Sequence, residues 1–125
     1  MKKILIIEND IDIRRLLIQL LEMESYQVIA ADNGKTGLTL LYQALPDVVI
    51  CDLVMPELDG YGVLQGLLHN PDTACIPIIF LTASASDEER QKCLEQGASA
   101  FLVKPFLQQE LLKLIRDLFD EQDYV

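Results

Sequence analysis

Pro46-Asp47-Val48-Val49-Ile50-Cys51-Asp52 is the stretch that decides the fold. Four consecutive apolar residues, three of them β-branched, stand between a turn-forming Pro-Asp pair and a carboxylate. A run of this kind, without polar alternation, belongs to a strand covered on both faces, as the strands of parallel sheets are.

Outward from this strand the apolar period changes repeatedly between short β-rich runs and helical stretches, giving five βα pairs. Strands are predicted over Lys3 to Ile7, Gln27 to Ala31, Val48 to Cys51, Ile78 to Leu81 and Ala100 to Val103. A first helix from Ile11 to Glu24 carries Ile13, Leu16, Leu17, Leu20 and Leu21 on one stripe. A second runs from Lys35 to Ala44. The third, Gly60 to His69, contains Gly62 and Gly66, each costing about 1 kcal/mol relative to alanine, and is expected to be the weakest unless packing compensates. Ser86-Asp87-Glu88-Glu89 reads as a capping box opening the fourth helix, which stops at Gln96-Gly97. The last follows Pro105 and buries Leu111, Leu114, Ile115 and Leu118; Asp120, Glu121 and Asp123 then form an acidic tail expected to fray. Short connections and right-handed crossovers leave a flavodoxin-like, doubly wound five-stranded parallel sheet, (βα)5 in strand order 2-1-3-4-5, as the most economical topology.

At 125 residues, half of them apolar, the chain suits one domain spanning 1–125 with a single compact core. A formal net charge of −10 repels nucleic-acid phosphates and anionic membrane surfaces, so direct partners of either kind are not expected. No apolar run approaches the roughly 20 residues that span a bilayer, and the expected location is cytoplasmic. Cys51, Cys75 and Cys93 show neither CxxC spacing nor an even disulfide count.

Ligands of doubly wound sheets lie beyond the carboxyl ends of the strands. There the chain places Glu8-Asn9-Asp10, Asp52, Thr82-Ala83 and Lys104-Pro105. Oxygen donors from Asn9 and Asp52 suit Mg²⁺, and Lys104 adds a point charge for phosphate oxygens. Any one of these residues reads equally well as a helix cap or turn former. Their convergence around Asp52 favours one phosphoryl-handling site.

Ile4-Leu5-Ile6-Ile7-Glu8-Asn9-Asp10, Pro46 to Asp52, Met55-Pro56-Glu57-Leu58-Asp59-Gly60, Leu81-Thr82-Ala83 and Lys104-Pro105-Phe106 resemble two-component response-regulator receivers over essentially the whole chain. The resemblance implies phosphoryl transfer from a phosphohistidine of a sensor histidine kinase or phosphotransfer protein to Asp52. It implies Mg²⁺ or Mn²⁺ held by Glu8, Asn9, Asp52 and the Val54 main-chain carbonyl, Thr82 as switch hydroxyl, Lys104 as phosphate partner and Phe101 as aromatic switch. It also implies a cis Lys104-Pro105 peptide and a surface change read by a downstream effector protein or domain. A homodimer through the fourth helix, last strand and last helix fits the same pattern. On this likeness the chain is no enzyme beyond promoting its own aspartyl phosphorylation and dephosphorylation.

Two positions depart from the pattern. Glu8-Asn9 stands where two aspartates are common, which removes a charge worth up to roughly 4 kcal/mol at 4 Å and a dielectric near 20. Asp10 either substitutes through water or caps the first helix. Leu107 and Gln108 stand where a capping residue is common.

Other features carry less. Strand alternation turns Cys51 away from the Asp52 face. His69, at a helix end, receives no function, and Gly60 and Gly97 read as backbone-conformation residues. Two competing functions are a receiver-like scaffold working without phosphorylation, motivated by Asn9, and an aspartyl-nucleophile phosphatase. The second wants an acid where Val54 stands.

Overall fold

The computed structural model describes residues 1–84 and 86–123. Its elements alternate as β1 (Lys3–Ile7), α1 (Ile11–Met23), β2 (Gln27–Ala31), α2 (Gly34–Ala44), β3 (Val48–Asp52), α3 (Gly60–His69), β4 (Ile78–Thr82), α4 (Asp87–Glu95), β5 (Ala100–Val103) and α5 (Gln108–Asp123). All strand pairs are parallel, in the order β2-β1-β3-β4-β5. Asp52 and Thr82, expected just past their strands, belong to them, because Asp52 registers with Leu81 and Thr82 with Val103 in the ladder.

Strand alternation divides the interior in two. Leu5, Ile7, Val49, Cys51, Ile78 and Phe80 face the layer of α2, α3 and α4, whereas Ile4, Ile6, Val48, Ile50, Ile79 and Leu81 face α1 and α5. Both faces are therefore covered, and the carboxyl edge of the sheet remains the open place for chemistry.

The glycine-bearing α3 is not the weak helix. A Cβ on Gly66 would lie 2.7 Å from Leu38 Cδ2, and the Tyr42 hydroxyl donates to the Gly66 carbonyl at 2.9 Å, so close packing on α2 offsets the propensity cost. The thinnest attachment is that of α4, in which Cys93 alone is buried. Its N-terminus is only half a capping box: Ser86 Oγ accepts the Glu89 amide at 3.2 Å, but the Glu89 carboxylate is drawn to Tyr61 instead. Gly97 stops the segment with φ of 111°, a region open to glycine. At α5 the complementary half is present, with Glu110 accepting the Leu107 amide at 3.2 Å. The acidic tail, expected to fray, is helical through Asp123. Among the described residues, no helix is long and apolar enough to cross a membrane.

Candidate functional site

Lys104 Nζ lies 3.0 Å from Glu8 Oε2 and 3.4 Å from Asp52 Oδ1, joining the ends of β1, β3 and β5. β5 delivers this lysine because the Lys104 amide pairs with the Thr82 carbonyl at 2.7 Å, immediately before the cis Lys104-Pro105 bond. Glu8 is wholly buried and Asp52 nearly so. Each carboxylate would be costly there without a cation, and a single ammonium serves both.

Glu8 is locked from two sides. Its Oε2 accepts from Lys104 and its Oε1 from the Asp10 amide at 3.1 Å, while its main-chain carbonyl accepts from Arg14 at 2.9 Å. Burial pushes the Glu8 carboxyl above the usual carboxylate range; the Lys104 and Asp10 hydrogen bonds oppose this, and the Asp52 charge adds to it.

Asp10 takes the capping role: its Oδ1 accepts from the amides of Asp12 at 2.9 Å and Ile13 at 3.1 Å. Asn9 lies exposed between these two fixed neighbours. Thr82 is buried at the end of β4, its Oγ1 accepting the Ser84 amide at 3.1 Å. Val54 is 77% exposed and follows the buried Leu53, so its contribution to any site is its main chain.

Phe101 sits half-buried on β5, packed against the α2–α4 core, with the Arg90 guanidinium 5.1 Å from its ring centroid. Cys51 is fully buried, and burial followed by the Asp52 charge holds its thiol well above the ordinary range, so it stays protonated. His69 lies exposed in the last turn of α3.

The loop after Asp52 is tightly built. Leu58 N donates to Pro56 O at 2.8 Å across Glu57, whose φ is 67°, a γ-turn of the rarer hand. Sequence spacing missed one contact beside the site, from the Tyr61 hydroxyl to Glu89 Oε1 at 2.7 Å and to Cys93 Sγ at 3.5 Å. Burial pushes the Tyr61 hydroxyl further up from its ordinary value, so it remains a donor. Nothing in local spacing marks a pair 28 residues apart.

Among the described residues no group of three or more His, Cys, Asp or Glu side chains gathers in metal-holding geometry. At this edge Asn9 is an amide, Asp10 caps α1, and Glu8 and Asp52 are the carboxylates paired with Lys104. The donors present, carboxylate, amide and main-chain carbonyl oxygens, are nonetheless all hard, the set that Mg²⁺ takes.

A parallel doubly wound sheet with two carboxylates and a lysine at its carboxyl edge defines a flavodoxin-like α/β protein with a paired-carboxylate edge. The sequence matches the response regulator receiver domain over residues 4–116, and the chain belongs to that family of two-component signalling modules. It is 44% identical over 115 residues to the probable transcriptional regulator ycf27 of Guillardia theta, covering 92% of this chain and 44% of that protein. A protein of the same description from Cyanophora paradoxa is 44% identical over 117 residues, covering 94% and 48%. The chain thus spans about half the length of the curated relatives it matches. Among solved structures, Vibrio cholerae chemotaxis protein CheY4 superimposes with a TM-score of 0.89 at 31% identity, over 94% of this chain and 98% of that one. The receiver domain of sensor histidine kinase PA1611 from Pseudomonas aeruginosa gives 0.85 at 28% identity, over 94% and 97%; its structure carries a magnesium ion coordinated in the active site cleft.

Proposed function

We propose that the chain is a phosphoacceptor switch in which Asp52 receives a phosphoryl group from a histidine kinase or phosphotransfer protein. The observation that carries this reading is the single ammonium of Lys104 set 3.4 Å from Asp52 Oδ1 at the end of the central strand. In the transfer an Asp52 oxygen attacks phosphorus, the P–O bond forms, the P–N bond to the donor imidazole breaks, and its electron pair returns to the ring nitrogen. Lys104 then compensates charge on the transferred group, and Thr82, on the neighbouring strand, offers its hydroxyl to a phosphoryl oxygen.

Asn9, Asp52 and the Val54 carbonyl, with Glu8 behind them, are the residues that would hold Mg²⁺ or Mn²⁺. When bound, the ion neutralises charge developing on the phosphoryl oxygens. Because both Glu8 oxygens are already engaged by Lys104 and the Asp10 amide, Glu8 acts chiefly through its charge. The output is a displacement of α4 and Phe101 read by an effector protein or domain in the cytoplasm, with the α4-β5-α5 face as a route to a homodimer.

Treatment with a small acyl phosphate and Mg²⁺ should add one phosphoryl mass, seen by intact mass spectrometry. Asp52→Asn should abolish the gain. An unchanged yield in that variant moves the acceptor elsewhere.

A further inference from the structure

Three glycines face one short segment, the loop from Asp52 to Leu58, and each leaves room that a side chain would take. A Cβ on Gly60 would lie 2.8 Å from the Asp52 carbonyl oxygen and 2.9 Å from Leu53 Cα, both main-chain atoms. One on Gly34, at the start of α2, would overlap the Leu58 carbonyl oxygen, and one on Gly62 would overlap Leu58 Cδ1. None of the three has a positive φ; among glycines that geometry is found at Gly97. Conformational freedom is therefore not what these positions require. They require closeness, and Gly60 requires it against the peptide of the proposed acceptor itself.

We infer that Gly60 is a positioning residue for Asp52. Without a Cβ, α3 begins in contact with the Asp52-Leu53 peptide, a contact sealed by the Gly60 amide donating to the Leu53 carbonyl at 2.9 Å. That contact, together with the Leu53 amide bonded to Leu81 O at 3.0 Å, fixes the direction in which Asp52 leaves the sheet edge toward Lys104. Leu58, gripped by Gly34 and Gly62, holds the far end of the same loop. Crowding against main-chain atoms has no rotamer to relieve it, so a methyl group at residue 60 must move either α3 or the acceptor. The inference deepens the phosphoacceptor reading and rests on it for its consequence in rate, whereas the position of the loop is readable independently.

The test pairs Gly60→Ala with Gly66→Ala. The second variant adds a methyl group to the same helix at a crowded place, 2.7 Å from Leu38 Cδ2, but against α2 and away from Asp52. Two readouts are used: uptake of phosphoryl from a small acyl phosphate with Mg²⁺, and exchange of the Leu53 amide relative to an amide that opens only globally. Gly60→Ala should slow uptake on the order of tenfold, a displacement near 1 Å being sufficient, and speed Leu53 exchange about tenfold; Gly66→Ala should change neither by more than about twofold. Leu53 exchange unchanged in Gly60→Ala, or raised equally in Gly66→Ala, overturns the inference. If the unsubstituted protein gains no phosphoryl mass, the phosphoacceptor reading falls, and Leu53 exchange alone decides the position. Should Gly60→Ala not fold, Gly62→Ala reads the same loop through the flexible end of Leu58. Its smaller change in Leu53 exchange should be reversed by adding Leu58→Ala, and failure to reverse overturns the inference.

Discussion

Helices α3 and α4 cover the same face of the sheet and are held by opposite means. α3 buries Gly60, Val63, Leu64 and Leu67, whereas α4 buries Cys93 alone. What else ties α4 down is polar or half-exposed: the Tyr61 hydroxyl on Glu89 and Arg90 over Phe101. Removing a buried leucine side chain costs about 2–5 kcal/mol, a single hydrogen bond about 1 kcal/mol. The helix that follows the β3–α3 loop is thus firmly held, and the helix packed beside Phe101 is held more lightly. A switch needs both, one side to hold the reacting group and another to report it.

The largest effect falls at the ion pairs of Lys104. Lys104→Met leaves Glu8 buried without its cation and should destabilise the metal-free protein by about 3–5 kcal/mol near neutral pH. Burial already sets the folded Glu8 carboxyl above its unfolded value. Between those two values the folded state binds the proton more readily, so stability from this group is present on the acid side and falls as pH rises through the folded value. Loss of the Lys104 hydrogen bond raises Glu8 further, so the deficit of Lys104→Met should shrink as the pH is lowered from neutral. Urea unfolding of both proteins across that range checks it; a deficit independent of pH removes Glu8 from the account.

A smaller effect sharpens the proposed metal side. Asn9→Asp restores a carboxylate and should tighten Mg²⁺ binding about tenfold, less than the full roughly 4 kcal/mol bound because Asn9 is exposed and screened. Calorimetric titration giving equal or weaker affinity would show that Asn9 is not a ligand. The smallest effect falls on the lightly held helix: Tyr61→Phe deletes the bond to Glu89 and should cost about 1 kcal/mol. Amide exchange should rise in α4 while α3 stays protected, and loosening of both together would erase the contrast between them.

The strands were legible because Val48 to Cys51 and Ile4 to Ile7 are apolar without interruption, a pattern that admits little besides a doubly covered sheet. The convergence of Glu8, Asp52 and Lys104 at one edge followed from parallel topology alone. What escaped were contacts between segments. The spacing Ser86 to Glu89 describes a capping box, yet Glu89 answers to Tyr61 on another helix. Gly60 read as a backbone-conformation residue, yet its φ is not positive and what crowds it is the Asp52 carbonyl across the loop. The penalties of Gly62 and Gly66 were local quantities, and the packing that offsets them belongs to Leu58, Leu38 and Tyr42. The pairing of Lys104 with Glu8 was likewise hidden behind its expected role toward phosphate.

The ion pair between Glu8 and Lys104 joins residues 96 apart in the chain. During synthesis Glu8 emerges 96 residues before its cation, so the two cannot meet until β5 has docked on β4. Closing so long a loop costs only slowly growing entropy, but it comes late, after the local βα contacts that compensate it have formed. Until then Glu8 keeps its hydration, and the last rung of the sheet and the charge balance of the cleft are completed in one event. A nascent chain lacking β5 would have four of the five strands and a Glu8 without its lysine.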